Sequence, residues 1–270
     1  MSVPAFSIAE LSEVGDLRDL AELFAAVWEH PGEPPISSNI LKALSLSGNY
    51  VSGGLVDGRL VGGLVGWFGG VPHDLHMHSH ILGVVSGSAA QGLGFELKQH
   101  QRRWCLERGV RVIEWTTDPL IRRNAYFNLT KLGARASKYL VDAYGAMTDG
   151  INAGEESDRW LITWQLESSP GDEPDLEALR LEGAVVLSVG DAGEPVATPS
   201  SSRVLLCQVP EDIVAVRRSD PSLAREWRMA LRRALTDSIA AGYAVTGATR
   251  SGWYVLQRGR ARAGREFGSN

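Results

Sequence analysis

The sequence predicts a mixed α/β protein in two parts: a twisted sheet flanked by helices over residues 1–167, and a smaller α/β domain over 176–258. Three observations predict it. Apolar positions recur at helical spacing in some stretches and as β-branched runs in others. A loop of small residues near position 90 joins an apolar strand to an amphipathic helix. The run SSPGDEPD at 168–175 has little to bury and reads as a linker between the parts.

Within the first part, Leu17, Leu20, Leu23, Phe24 and Val27 stand three and four residues apart, which makes one apolar helical face over 15–29. Pro31, Pro34 and Pro35 stop that helix, and a second is expected over 37–46 with Ser37 or Ser38 as its cap. Two β-branched, Gly-punctuated runs follow, joined at Asp57-Gly58, the composition of a two-residue type I′ hairpin turn. HMHSHILGVVSG reads as the next strand and FELKQHQRRWCLERG as a helix ended by Gly109. VRVIEWTT returns as a strand, IRRNAYFNLTKLG as a helix ended by Gly133, and ASKYLVDAY and RWLITWQL as two further strands. The predicted order is β, α, α, β, β, β, α, β, α, β, β.

In the second part, GAVVLSVG, RVLLCQVP, YAVTG and WYVL read as strands, and a long helix is expected from Leu223 to about Ala241, capped by Ser219 or Asp220. Its strand, long helix and strand repeat the order seen at 78–116 without a glycine loop, the pattern of a degenerate copy of the first part. Residues 259–270 are Arg-rich and then Gly/Ser-rich and are expected to be a disordered tail.

Composition excludes several functions. A net charge of -5 gives no electrostatic reason to bind nucleic acid. The two cysteines, Cys105 and Cys207, form no CxxC pair, so neither a disulfide framework nor a thiolate zinc site is expected. No segment approaches the roughly 18 apolar residues of a membrane span, and the N-terminus has no signal-like core, so a cytoplasmic protein is expected.

The stretch that carries chemistry is Val84-Val85-Ser86-Gly87-Ser88-Ala89-Ala90-Gln91-Gly92-Leu93-Gly94. Small residues let a ligand approach the backbone, and a helix N-terminus offers unpaired N–H groups and a partial positive charge. Together they make a pyrophosphate cradle. No GxxxxGK[ST] is present for a P-loop, and the strand before the loop is not the opening of a dinucleotide-binding βαβ unit.

These residues resemble motif A of the GNAT superfamily of acyl-CoA N-acyltransferases, Gln/Arg-x-x-Gly-x-Gly/Ala after a valine-ended strand. Ala89 departs from the pattern at its first position, while Gln91, Gly92 and Gly94 keep it. Asn124, nine residues before Leu132-Gly133, matches the family's second motif. The resemblance spans about residues 5–166 and implies acyl-CoA as cosubstrate, no metal, and an acyl acceptor that is a small-molecule amine. It further implies that Gly83, Val84, Val85, Gly87, Gln91, Gly92, Leu93, Gly94 and Asn124 hold the cofactor, with thioester-oxygen donors from Gly83 to Val85. The runs KQHQRRWCLERGVRVIEWTTDPLIRRNAYFNLTKLGA and WRMALRRALTDSIAAGYAVTG resemble a narrower bacterial two-part group, some of whose relatives are linked to succinylation of amino acids. Acetyl-CoA and succinyl-CoA are therefore the donors to consider, and the second part is expected to complete the cleft or form a dimer face.

Amine acylation needs a base for the attacking ammonium and a proton donor for the departing thiolate. The family's base, in some relatives fourteen residues before the loop glycine, falls on His78, and strand alternation puts His76, His78 and His80 on one face. Glu114 and Thr116 share a face of the next strand, with Asp118 beyond its end; Glu114 is either a base acting through water or the partner of an arginine. Where the family carries a thiolate-protonating tyrosine this chain has Leu129, so Tyr126, Tyr139 and Tyr144 are the substitutes. Arg122 and Arg123 suit CoA phosphates, a substrate carboxylate or a solvated helix face. The tryptophans of the strands are read mainly as core. Two rivals stay open: a non-catalytic CoA-binding module, and a metal hydrolase using the alternating histidines.

Overall fold

The computed structural model of the chain describes residues 6–29, 33–87, 90–145 and 156–258. Ser88, Ala89 and the expected tail at 259–270 lie outside the described residues. By internal contacts the described chain separates into two compact units, one of residues 6–116 with 163–168, the other of 117–145, 156–162 and 169–258.

The first unit opens with β1 (Phe6–Glu10), α1 (Val14–Val27), α2 (Ser38–Leu46), β2 (Tyr50–Val56) and β3 (Arg59–Gly69). Ser37 caps α2, accepting from the Ile40 amide at 3.4 Å. Asp57 and Gly58 both take positive φ, 48° and 74°, as the type I′ turn requires, and Val56 pairs with Arg59 across it. β4 (His76–Val84), α3 (Leu93–Glu107) and β5 (Val112–Thr117) follow. The expected apolar face of α1 is buried: Leu17, Leu20, Leu23 and Phe24 pack with Leu41, Val51, Val65 and Ile81 in one core.

The next elements are α4 (Arg122–Tyr126), which runs into a π-helical turn at Phe127–Lys131, then β6 (Arg135–Leu140) and β7 (Arg159–Gln165). The order through β7 is the one the sequence predicts. In the first unit the strands hydrogen-bond in the order β1-β2-β3-β4-β5. β1 to β4 are antiparallel neighbours, whereas β4 and β5 run parallel.

The second unit continues with α5 (Leu176–Glu182), β8 (Ala184–Val189), β9 (Pro195–Ala197), β10 (Val204–Gln208), α6 (Ile213–Ser219), α7 (Pro221–Ala240), β11 (Tyr243–Ala248) and β12 (Trp253–Arg258). Asp220 caps α7, accepting from the amides of Ser222 and Leu223, with Pro221 at the first helical position where its missing N–H costs nothing. α5, α6 and β9 are additions to the predicted elements, each only three to seven residues long and without a full period to read. The five strands lie in the order β11-β12-β10-β8-β9, with β8 parallel to β10. Val204, Leu206, Trp253 and Val255 pack under Leu176 and Leu179 of α5. Because Leu205 and Cys207 are buried as well, β10 is an unbroken apolar run rather than an alternating one.

Candidate functional site

The glycine loop of the first unit ends at Gly92, the N-cap of α3, which takes the left-handed conformation at φ 87°. The amides of Phe95 and Glu96 both donate to the Gly92 carbonyl, and those of Leu93 and Gly94 stand at the helix start, where no carbonyl of the helix itself can accept from them. The Leu93 side chain is fully buried against Gly54 and Gly62 and anchors the helix, so only its backbone faces outward chemistry. Gly94 is different: its φ is ordinary, and among the described residues a Cβ there would meet nothing closer than 3.9 Å. Neither backbone conformation nor packing against the described residues demands a glycine at 94. Gly87 takes φ 143° with open space around it, and Gln91 is exposed.

Upstream, β4 and β5 pair only at Met77 with Ile113 and His78 with Glu114. Beyond that point β4 continues against β3 alone, so the two parallel strands part company before the glycine loop. The Val85 amide donates to the Val61 carbonyl at 2.9 Å and is therefore not a donor to a ligand, contrary to the expectation for Gly83 to Val85. Antiparallel alternation then turns the Gly83 amide toward β3 and the Val84 amide away from it, past the end of the β5 ladder. Gly83 has a packing role instead, since a Cβ would strike the rings of Trp28 and Phe24 at 2.8–2.9 Å.

Strict alternation, which predicts His76, His78 and His80 on one face, is interrupted. Gly66 pairs with Ser79 and Val65 with Ile81, so His80 is the extra residue of a β-bulge. The bulge keeps Ile81 on the α1 side of the sheet, where it joins the core, and leaves His80 exposed. The rings of His78 and His80 still lie 5.7 Å apart, and Trp67 packs on both, at 5.0 and 4.5 Å.

Glu114 is half-buried beside His78. Its Oε1 accepts from the Thr163 hydroxyl at 2.8 Å, and its Oε2 lies 3.9 Å from His76 Nε2, so among its described partners are a threonine and a histidine rather than the arginine allowed for in the sequence. Burial, then the charges of His80, His76 and Lys98, lower the His78 imidazole to about 4, against an upward pull from Glu114. His78 is thus neutral at pH 7 but a weak proton acceptor. Among the described residues no three His, Cys, Asp or Glu side chains gather as a metal-holding group.

On the opposite face of β4, under α3, lies a polar group that the sequence reading missed. Lys98 is 3% exposed; its Nζ donates to Ser79 Oγ at 2.8 Å and sits 3.7 Å from the centroid of the Trp115 ring. Ser79 in turn donates to Gln101 Oε1 at 2.9 Å. Burial lowers the Lys98 ammonium to about 7. The available signal was the presence of Lys98 and Gln101 three residues apart on a helix, with Leu97 and Trp104, at the spacing of the buried face.

The remaining candidates lie in the second unit. Asn124 and Tyr126 sit on α4, and the Tyr126 hydroxyl accepts from Arg250 at 3.3 Å while the guanidinium lies over its ring. Leu129 is buried in the π-helical turn. Tyr139 donates to Asp158 at 2.7 Å; burial and that carboxylate raise its phenol well above the ordinary range, which makes it a poor thiolate acid. Arg122 pairs with Glu211 at 3.0 Å. Asp118, just past β5, is buried between Arg217 and Arg228, at 2.6 and 2.8 Å, and is a structural ion cluster.

Neither a protein-family model nor a curated protein sequence matches the chain. Solved structures align with part of it. An aminoglycoside 6'-acetyltransferase type Ii is 18% identical, with 61% of this chain and 99% of that one covered and a TM-score of 0.48. The ribosomal-protein-S18-alanine N-acetyltransferase from Escherichia coli is 15% identical over 63% and 99%, at 0.48. An acetyltransferase of GNAT family from Streptococcus pneumoniae is 14% identical over 60% and 99%, at 0.49.

Proposed function

We propose that the chain is an acyl-CoA-dependent N-acyltransferase of GNAT type that moves an acetyl or succinyl group to the amine of a small molecule, with residues 1–167 as the acyltransferase domain and 176–258 as an accessory domain. The observation that carries the reading is the start of α3, where Gly92 in the left-handed conformation caps the helix and Gly94 puts no side chain over its first turn. A pyrophosphate accounts for it, since a side chain at 94 larger than a methyl would hold the phosphates off the helix N-terminus. The parting of β4 from β5 supports the same reading, because it leaves the Val84 amide to receive an acyl-thioester oxygen.

In this reaction the amine nitrogen attacks the thioester carbonyl carbon, the C–N bond forms and the C–S bond breaks, and the ammonium proton leaves to a base. Glu114, a carboxylate held by the Thr163 hydroxyl, takes the proton through water, while His78, which burial keeps neutral, orients the amine. The CoA thiolate takes its proton from solvent, since Leu129 stands where the family tyrosine would be.

The test is thermal stabilisation by CoA, acetyl-CoA and succinyl-CoA. A ligand at a hundred times its dissociation constant adds about 2.7 kcal/mol, a shift of a few degrees. Gly94→Glu should keep the fold, since a Cβ at 94 has room among the described residues, and lose most of that shift, because a carboxylate there blocks and repels the phosphates. Stabilisation that survives in the variant, or that is absent in the parent, removes the reading. Asn124→Ala should weaken the stabilisation by CoA if Asn124 holds the cofactor as the motif resemblance implies, and Tyr126→Phe should leave the rate unchanged if solvent protonates the thiolate.

A further inference from the structure

We infer that the acyl acceptor is a cationic amine with no carboxylate beside its reacting nitrogen, an alkylamine or polyamine rather than a free amino acid. This deepens the proposed function and rests on it for the chemistry of transfer.

The groups on the face where β4 meets β5 favour a cation. Glu114 is 26% exposed at its side chain and is held in place by the Thr163 hydroxyl. His76, 30% exposed, stands 3.9 Å from the other carboxylate oxygen. His78 is neutral, and the half-buried indole of Trp67 lies against both His78 and His80. A fixed carboxylate and an indole face attract a cation. Lys98, the lysine whose charge reaches His78, gives an anion no partner on this face. It lies on the other side of the sheet, closed under α3 and committed to Ser79 and Trp115.

An α-amino acid brings its carboxylate two bonds from the reacting nitrogen. With the nitrogen placed at Glu114 and His78, that carboxylate is carried into the same partly dehydrated face as Glu114. Like charges at such separation, with limited screening, repel. The matched amine, with hydrogen in place of the carboxylate, keeps the attraction and escapes the repulsion.

The experiment compares amino acids with their decarboxylated counterparts: lysine with cadaverine, arginine with agmatine, tyrosine with tyramine. Two readouts are taken on the full chain. One is kcat/KM for acyl transfer from acetyl-CoA and succinyl-CoA. The other, made without any acyl donor, is the concentration at which each compound shifts the imidazole resonances of His78 and His80. The amine of each pair is expected to be preferred at least tenfold in both, and Glu114→Gln is expected to shrink that ratio. An amino acid that equals or beats its amine, a ratio untouched in Glu114→Gln, or imidazole resonances unmoved by any of the compounds overturns the inference. Absence of any response to acyl-CoA defeats the proposed function instead, and the imidazole titration still decides between amine and amino acid.

Discussion

Each of the two units buries an ionisable side chain, and they do it in opposite ways. In the first, Lys98 is closed off from water against a hydroxyl and an indole, and burial brings its ammonium down to about 7. In the second, Asp118 is 7% exposed, yet its carboxyl is held below the ordinary range: burial pushes it up, and the charge and hydrogen bonds of Arg228 with the charge of Arg217 outweigh the burial. Burial penalises both charges alike. Partners decide which one survives as an ion, so the first group is poised to lose its proton near neutrality and the second is locked.

That contrast can be broken at four points. The largest effect is expected from Asp118→Ala, which leaves Arg217 and Arg228 buried without their carboxylate; a loss of about 3–5 kcal/mol should appear in denaturant unfolding. A change below 1 kcal/mol would mean that the cluster is not the closed ion set described.

The second concerns pH. Between about 7 and the ordinary lysine value of 10.5 the unfolded chain binds more protons than the folded one at Lys98, so stability should rise with pH there. The slope is at most about 1.4 kcal/mol per pH unit. Lys98→Met should abolish the rise and leave the protein no less stable at pH 7. For Asp118 the sign places the contribution above the ordinary carboxyl value of 3.8, lost as pH falls below it. Asp118→Asn should therefore flatten the acid limb of stability while leaving the alkaline limb intact.

A smaller change is expected from Ser79→Ala, which removes the hydroxyl shared by Lys98 and Gln101 and should cost about 1 kcal/mol. It should also lower the pH at which Lys98 loses its proton, since the ammonium then keeps only the indole face. The smallest belongs to Gln101→Leu. Among the described residues its buried Nε2 has no hydrogen-bond partner, so the substitution should move stability by less than about 1 kcal/mol.

How much of the site was legible follows from the range of the interactions. The glycine loop and the caps are local, and Gly92 and the Asp57-Gly58 turn follow from residues in sequence order. The face at Glu114 was half legible: its spacing placed it on a strand, but its partner Thr163 lies 49 residues further on. Asp118 read as a site neighbour because its arginines stand 99 and 110 residues away. Lys98 carries no signal of its own within its helix, since a single apolar stripe does not announce that an ammonium has been drawn beneath it.

The sequence by itself determined the element order through β7, the hairpin turn, the buried stripe of α1 and the small-residue start of α3. Each depends on spacing and on the conformational range of one or two residues. Tertiary structure decided the bulge at His80, the use of the Val85 amide by Val61, and the opposite fates of Lys98 and Asp118. All three turn on which distant backbone or side chain arrives to compete for a hydrogen bond or a charge. Such competition depends on packing, and no local pattern along the chain encodes its outcome.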